Sequence, residues 1–101
     1  LIKHDKYMQE LCQRLEQHYD EIHLNVPIYS KRNRLVAEID ILAKRKDTYD
    51  VFEVKCSHRI VKAKKQLLRI RKHFAKNEVT DSSNLGRLFF FCGVTGELIV
   101  M

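Results

Sequence analysis

Apolar residues recur along the chain in two rhythms, and the changes between them mark out seven elements. From 4 to 19, Met8, Leu11, Leu15 and Tyr19 fall three or four apart, with Cys12 alongside. That spacing places one apolar stripe on a helix. From 22 to 30 the rhythm becomes two: Ile22, Leu24, Val26 and Ile28 alternate with polar or small neighbours, which predicts a half-buried strand. Pro27 brings no amide proton to a ladder, so this strand belongs at a sheet edge. Residues 30–34 form a basic turn, 35–43 a second strand, 44–47 a second basic turn and 49–56 a third strand, together a meander. Helical spacing returns over 59–76, where Ile60, Ala63, Leu67, Ile70 and Phe74 form a seam. A polar loop covers 77–84, with 80–84 its most flexible part. A strand beginning at Leu85 or Arg87 follows; its run Leu88-Phe89-Phe90-Phe91-Cys92 fits burial on both faces. A turn at 93–96 and a short strand at 97–101, at a sheet edge or in a dimer contact, complete the order.

This α-β-β-β-α-β-β order predicts an α/β fold: a mixed central sheet with a helix on each face. The crossover from the third strand through the second helix should be right-handed and should leave those two strands parallel. At 101 residues the chain is expected to be one domain, 1–101. The 45% of hydrophobic residues suffices for a small core. No apolar run is long enough to span a bilayer, and no secretory signal is visible. A cytoplasmic, nucleic-acid-associated protein with no membrane contact is therefore expected. The chain begins with Leu1 rather than Met, which implies that residues precede it.

The formal net charge of +6 favours a polyanionic partner, nucleic acid first among them. Part of this charge is ordered. Lys62, Lys65, Arg69, Lys72 and Lys76 follow one another at steps of three and four, opposite the apolar seam of the second helix. Like charges at such spacings repel, a cost that a polyanion offsets. Lys31, Arg32 and Arg34 in the first turn, and Lys44, Arg45 and Lys46 in the second, extend the cationic surface. The three cysteines, Cys12, Cys56 and Cys92, lie far apart in apolar stretches with no zinc-type spacing, and read as small buried thiols. The five histidines show no metal-ligand pairing at helical spacing and read as surface or half-buried residues, with His58 and His73 candidates for phosphate contact.

The candidate chemistry lies in the second and third strands, Ala37-Glu38-Ile39-Asp40-Ile41-Leu42 and Asp50-Val51-Phe52-Glu53-Val54-Lys55-Cys56. Alternation puts Asp40 on one face with Glu38 and Leu42, and Glu53 on one face with Val51 and Lys55. Ile39 and Ile41, and Phe52, Val54 and Cys56, take the opposite faces. If the strands pair, Asp40, Glu53 and Lys55 meet on one side of the sheet. Two hard carboxylate ligands suit Mg²⁺, which keeps several waters. Such an ion polarises a scissile phosphate and helps to deprotonate water. Lys55 could orient that water or stabilise charge on the phosphate. Most Glu-x-Lys pairs on exposed strands are only solvated ions. Asp40, thirteen positions before Glu53 in a strand of matching polarity, gives this pair its chemical meaning. Glu38, sharing a face with Asp40, is a candidate outer metal ligand.

Asp40 followed by Glu53-Val54-Lys55 resembles the motif of the PD-(D/E)xK nuclease superfamily, in which an Asp on one strand precedes a (D/E)-x-K on the next. The Asp-to-Glu spacing looks like that of the small archaeal Holliday-junction resolvases. The Ala37-Glu38-Ile39-Asp40 and Phe52-Glu53-Val54-Lys55 strands also look like a small bacterial nuclease-like family with a Gly-Glu-Ile-Asp strand. The resemblance covers the core from about Leu35 to Phe74, and the rest more loosely. The Pro that precedes the Asp in the superfamily's motif is missing here, as it is in many members. The resemblance implies a restriction-endonuclease-like αβββαβ core. It implies metal held by Asp40, Glu53 and the Val54 carbonyl, with Lys55 the catalytic lysine. Many members add an acid from the first helix; Glu10 is preferred here, ahead of Glu16, Asp5 and Glu21. Related enzymes also place a polar residue on the second helix toward the site, a role that falls to Gln66.

The expected activity is Mg²⁺-dependent hydrolysis of DNA phosphodiesters, with Mn²⁺ able to substitute and no small-molecule cofactor. Duplex or branched DNA is the expected substrate, and a homodimer would present two sites to it. The alternatives are a non-catalytic nucleic-acid-binding module on the same fold and an RNA-directed nuclease.

Overall fold

The computed structural model describes residues 3–57, 59–76 and 84–101. Its elements are α1 (Lys3–Leu15), β1 (Glu21–Tyr29), β2 (Leu35–Arg45), β3 (Thr48–Lys55), α2 (Ile60–Lys76), β4 (Leu85–Cys92) and β5 (Glu97–Val100). The strands form one sheet in chain order, β1-β2-β3-β4-β5. Neighbours are antiparallel except β3 and β4, which run parallel, as strands joined through a helix can. The fold is α/β: a five-stranded mixed sheet and two helices.

Side-chain alternation on β3 and β4 builds two layers of core. Phe52, Val54 and Phe91 pack with Met8, Leu11 and Leu15 of α1. Val51 and Leu88 pack with Leu67 and Ile70 of α2, while Phe90 and Cys92 pack with Ala63 of the same helix. Sequence neighbours thus enter opposite cores, so the two helices cover opposite faces, as expected. The apolar run of β4 is buried from both sides for this reason. Phe52, Phe90 and Phe91 are fully buried, each contributing roughly 1.5–3 kcal/mol. β1 and β5 are the sheet edges, and Pro27 lies on β1 as its missing donor requires.

β2 breaks the alternation. Ile41 and Ala43 join the core under α1, but Ile39 joins the core under α2. Ile39, Asp40 and Ile41 are all buried in succession. The shared face expected for Ile39 and Ile41 is therefore not formed. The distortion coincides with Asn25 of β1, at φ 53° between the pairs Leu24–Ile41 and Val26–Ile39. Asn tolerates this left-handed region better than most residues. On the other side of β2, the ladder to β3 runs from Arg45–Thr48 to Ile41–Phe52 and goes no further. Both irregularities fall at Asp40.

The first helix is shorter than its apolar stripe suggests. It ends at Leu15, and Tyr19 lies past it. Tertiary contacts override the helical spacing. The Asp20 amide donates to the Lys44 carbonyl at 2.8 Å, Asp20 Oδ2 accepts from the Lys46 amide at 2.8 Å, and the Tyr19 hydroxyl donates to Asp50 Oδ2 at 2.5 Å. The second basic turn is also shorter than expected: Lys44 and Arg45 belong to β2, leaving Lys46 and Asp47 between the strands. The loop expected at 77–84 lies outside the described residues except for Asn84, as does His58. Among the described residues, no helix is long and apolar enough to cross a membrane.

Candidate active site

Asp40 and Glu53 are the charged residues buried in the described structure, at 8% and 2% exposure. Register explains why they adjoin. Continuing the Ile41–Phe52 pairing by one residue would set Asp40 opposite Glu53, but the ladder has ended there. Side chains replace the missing backbone partners. The Val54 amide donates to Asp40 Oδ2 at 2.9 Å. The Val54 carbonyl accepts from His4 Nε2 at 3.0 Å, and the same nitrogen lies 3.4 Å from Asp40 Oδ2. Lys55, two residues beyond Glu53 on the same face, places Nζ 3.5 Å from Glu53 Oε1. Asp40, Glu53 and Lys55 therefore gather at the open end of the β2–β3 pair.

The electrostatics of this cluster are unbalanced. Glu53 is pushed up to about 9, first by burial and then by Asp40, which favours a proton on its neighbour; Lys55 only partly offsets this. Glu53 Oε2 is buried without a hydrogen-bond partner, a condition that costs roughly 1–3 kcal/mol. A divalent cation would relieve both the like-charge repulsion and the orphaned oxygen. The oxygens that could serve it are two carboxylates and the Val54 carbonyl, which His4 engages in this structure; all are hard donors of the type Mg²⁺ takes alongside water. Among the described residues, no group of three or more His, Cys, Asp or Glu side chains gathers to hold a metal. Mg²⁺ does not require one, since it is held by one or two carboxylates.

The remaining expected residues divide. Gln66 donates Nε2 to the Glu38 carbonyl at 3.3 Å, so it fastens α2 to β2 two residues before Asp40. The Glu38 carboxylate is exposed, unlike those of Asp40 and Glu53. Glu10 is also exposed, on the part of α1 turned from the core. It lies six residues past His4, roughly 240° around the helix, so α1 presents a histidine to the site rather than the acid expected. His4 extends the stripe of Met8, Leu11 and Leu15 by one turn, and this phase is the signal by which the sequence marks it.

Lys31, Arg32 and Arg34 are exposed on the β1–β2 turn. Ser30 Oγ organises that turn by accepting from the Arg32 and Arg34 amides at 3.3 and 3.2 Å. Lys62, Lys65, Arg69 and Lys72 are exposed along α2, interleaved with the exposed apolar residues Val61 and Leu68. The side chain of Lys76 lies outside what is described. Cys12, Cys56 and Cys92 are free thiols; Cys92 is buried and the other two half-buried. No protein-family profile matches the chain, and no curated protein matches it.

Proposed function

We propose that the chain is a Mg²⁺-dependent DNA endonuclease with a restriction-endonuclease-like core. The observation that carries this reading is Glu53: a buried carboxylate with an unpartnered oxygen, set beside Asp40 and Lys55 where two strands part. Asp40, Glu53 and the Val54 carbonyl would hold the cation. When bound, the ion supplies Lewis acidity toward the phosphate and a lowered pKa for an attacking water. Lys55 orients that water or carries the charge that develops on the phosphate. The exposed cations of α2 and of the β1–β2 turn hold backbone phosphates, which gives salt-sensitive binding with little base readout. A homodimer would present two such sites to duplex or four-way-junction DNA.

One observation favours a second reading, a non-catalytic nucleic-acid-binding module. His4 already donates to the Val54 carbonyl that the cation would need. A cleavage assay with Mg²⁺ or Mn²⁺ on duplex DNA, a four-way junction, single strands and RNA separates the two. The nuclease reading expects cutting that Asp40→Asn lowers more than about a hundredfold, since losing even an outer-shell partner costs about 10–100-fold. Binding without cutting by the wild type leaves the module.

A further inference from the structure

A cavity of about 660 Å³ opens at the other end of β3, in the size range of small-molecule sites. Arg45, Lys46 and Arg87 line it, together with Tyr19, Phe89 and Thr48, and Asp50 stands at its wall. All three cationic side chains belong to exposed residues, and among the described residues none makes an ion pair. Asp50 is already committed: Oδ2 accepts from the Tyr19 hydroxyl and Oδ1 from the Arg87 amide at 2.8 Å. A Cβ at Gly86 would come within 2.3 Å of Asp50 Oδ1, so the carboxylate lies directly on glycine backbone. Among the lining residues one acid therefore stands against three cations, a formal surplus of positive charge.

The turn itself supplies an independent observation. Lys46 holds φ 56°, the left-handed region that glycine takes at little cost and a lysine does not. The strained backbone is held by the Asp20 carboxylate on the Lys46 amide. A charged side chain is thus kept where the backbone alone would favour glycine, and it lines the cavity. The lining also offers aromatic surface: Phe89 stacks on Phe52 at 4.7 Å, and Arg45 lies over the Tyr19 ring at 6.0 Å. Cations for a phosphate beside aromatic and guanidinium planes for a base are the chemistry of nucleotide recognition.

We propose that this cavity binds a nucleoside phosphate. The site is separate from the carboxylate pair. Thr48 and Lys55 stand at opposite ends of β3, seven residues or roughly 23 Å apart, a span of about seven nucleotides along a duplex. The ligand is a free nucleotide or the phosphorylated end of a strand, and it requires no metal.

The test titrates the metal-free protein with AMP, adenosine, and a ten-nucleotide strand with and without a 5′ phosphate, following backbone amide resonances. The expected result is movement of the amides at 45–48 and 86–89 with AMP or with the phosphorylated strand, and none with adenosine. AMP binding identifies a free nucleotide; binding of the phosphorylated strand alone identifies a strand end. Lys46→Gly and Arg87→Ala should each weaken that binding about tenfold, the equivalent of one charge-assisted contact. Lys46→Gly should do so while keeping or raising the melting temperature, which rules out unfolding as the cause. Shifts confined to Asp40, Glu53 and Lys55, equal binding of both strands with none of AMP, or unchanged affinity in the two variants would overturn the proposal.

Discussion

Two acids on β3, Asp50 and Glu53, lie three residues apart and have opposite circumstances. Asp50 sits at the closed end, where the β2–β3 hairpin turns. Its oxygens take the Tyr19 hydroxyl and the Arg87 amide, and Gly86 makes room for them. Glu53 sits at the open end, where the same two strands part. It keeps one oxygen without a partner and is driven toward protonation by burial and by Asp40. Burial and chemical type do not distinguish a structural acid from a ligand-seeking one. Completion of its hydrogen bonds does. The closed end spends its acid on holding the hairpin and leaves cations free, whereas the open end leaves acids unsatisfied with one lysine beside them. Under the two proposals made above, each end would take a ligand of opposite sign.

The largest expected effect is the pH dependence of stability in metal-free protein. Glu53 has its folded pKa raised from 4.5 to about 9, so the folded state holds a proton that the unfolded chain releases. Its contribution is fully present below 4.5 and is lost as pH rises toward 9, at up to about 1.4 kcal/mol per unit. Chemical denaturation from pH 5 to 9 should show this fall, and Glu53→Gln should flatten it and be the more stable form at pH 8. A parallel slope in both proteins would mean that Glu53 is not the unbalanced group.

Next comes the cation. Mg²⁺ at about a hundredfold excess over its Kd should stabilise the wild type by about 2.7 kcal/mol. Asp40→Asn and Glu53→Gln should gain almost nothing in the same thermal melts. Asp50→Ala should lose about 2 kcal/mol, because it strands the Tyr19 hydroxyl and the Arg87 amide, yet keep the full response to Mg²⁺. A lost Mg²⁺ response in Asp50→Ala would show that the two ends are coupled and that their contrast is false. The smallest effect is His4→Ala. Freeing the Val54 carbonyl should cost about 1 kcal/mol of stability and tighten Mg²⁺ binding, measured by isothermal titration. Weaker binding would instead make His4 a contributor to the cation's hold.

The sequence by itself determined the element order, the edge position of β1 and the parallel pairing of β3 with β4. It also placed Glu53 and Lys55 together, because their two-residue interval on one strand is a local property that survives folding. It pointed to Asp40 as their neighbour, although Asp40 joins them where the alternation of β2 breaks and its ladder to β3 stops. Only the tertiary structure decided what surrounds them. The break of alternation at Asp40 coincides with the left-handed Asn25 on the neighbouring strand and with a ladder that stops. The arrival of His4 in place of Glu10 depends on which face α1 buries. The early end of α1, and the arrangement of Tyr19, Asp50 and Arg87 into one network, join residues 31 and 37 positions apart. Hydrogen bonds and like-charge contacts act through space over a few ångströms, so a pattern along the chain reveals them only where distance in sequence and distance in space coincide.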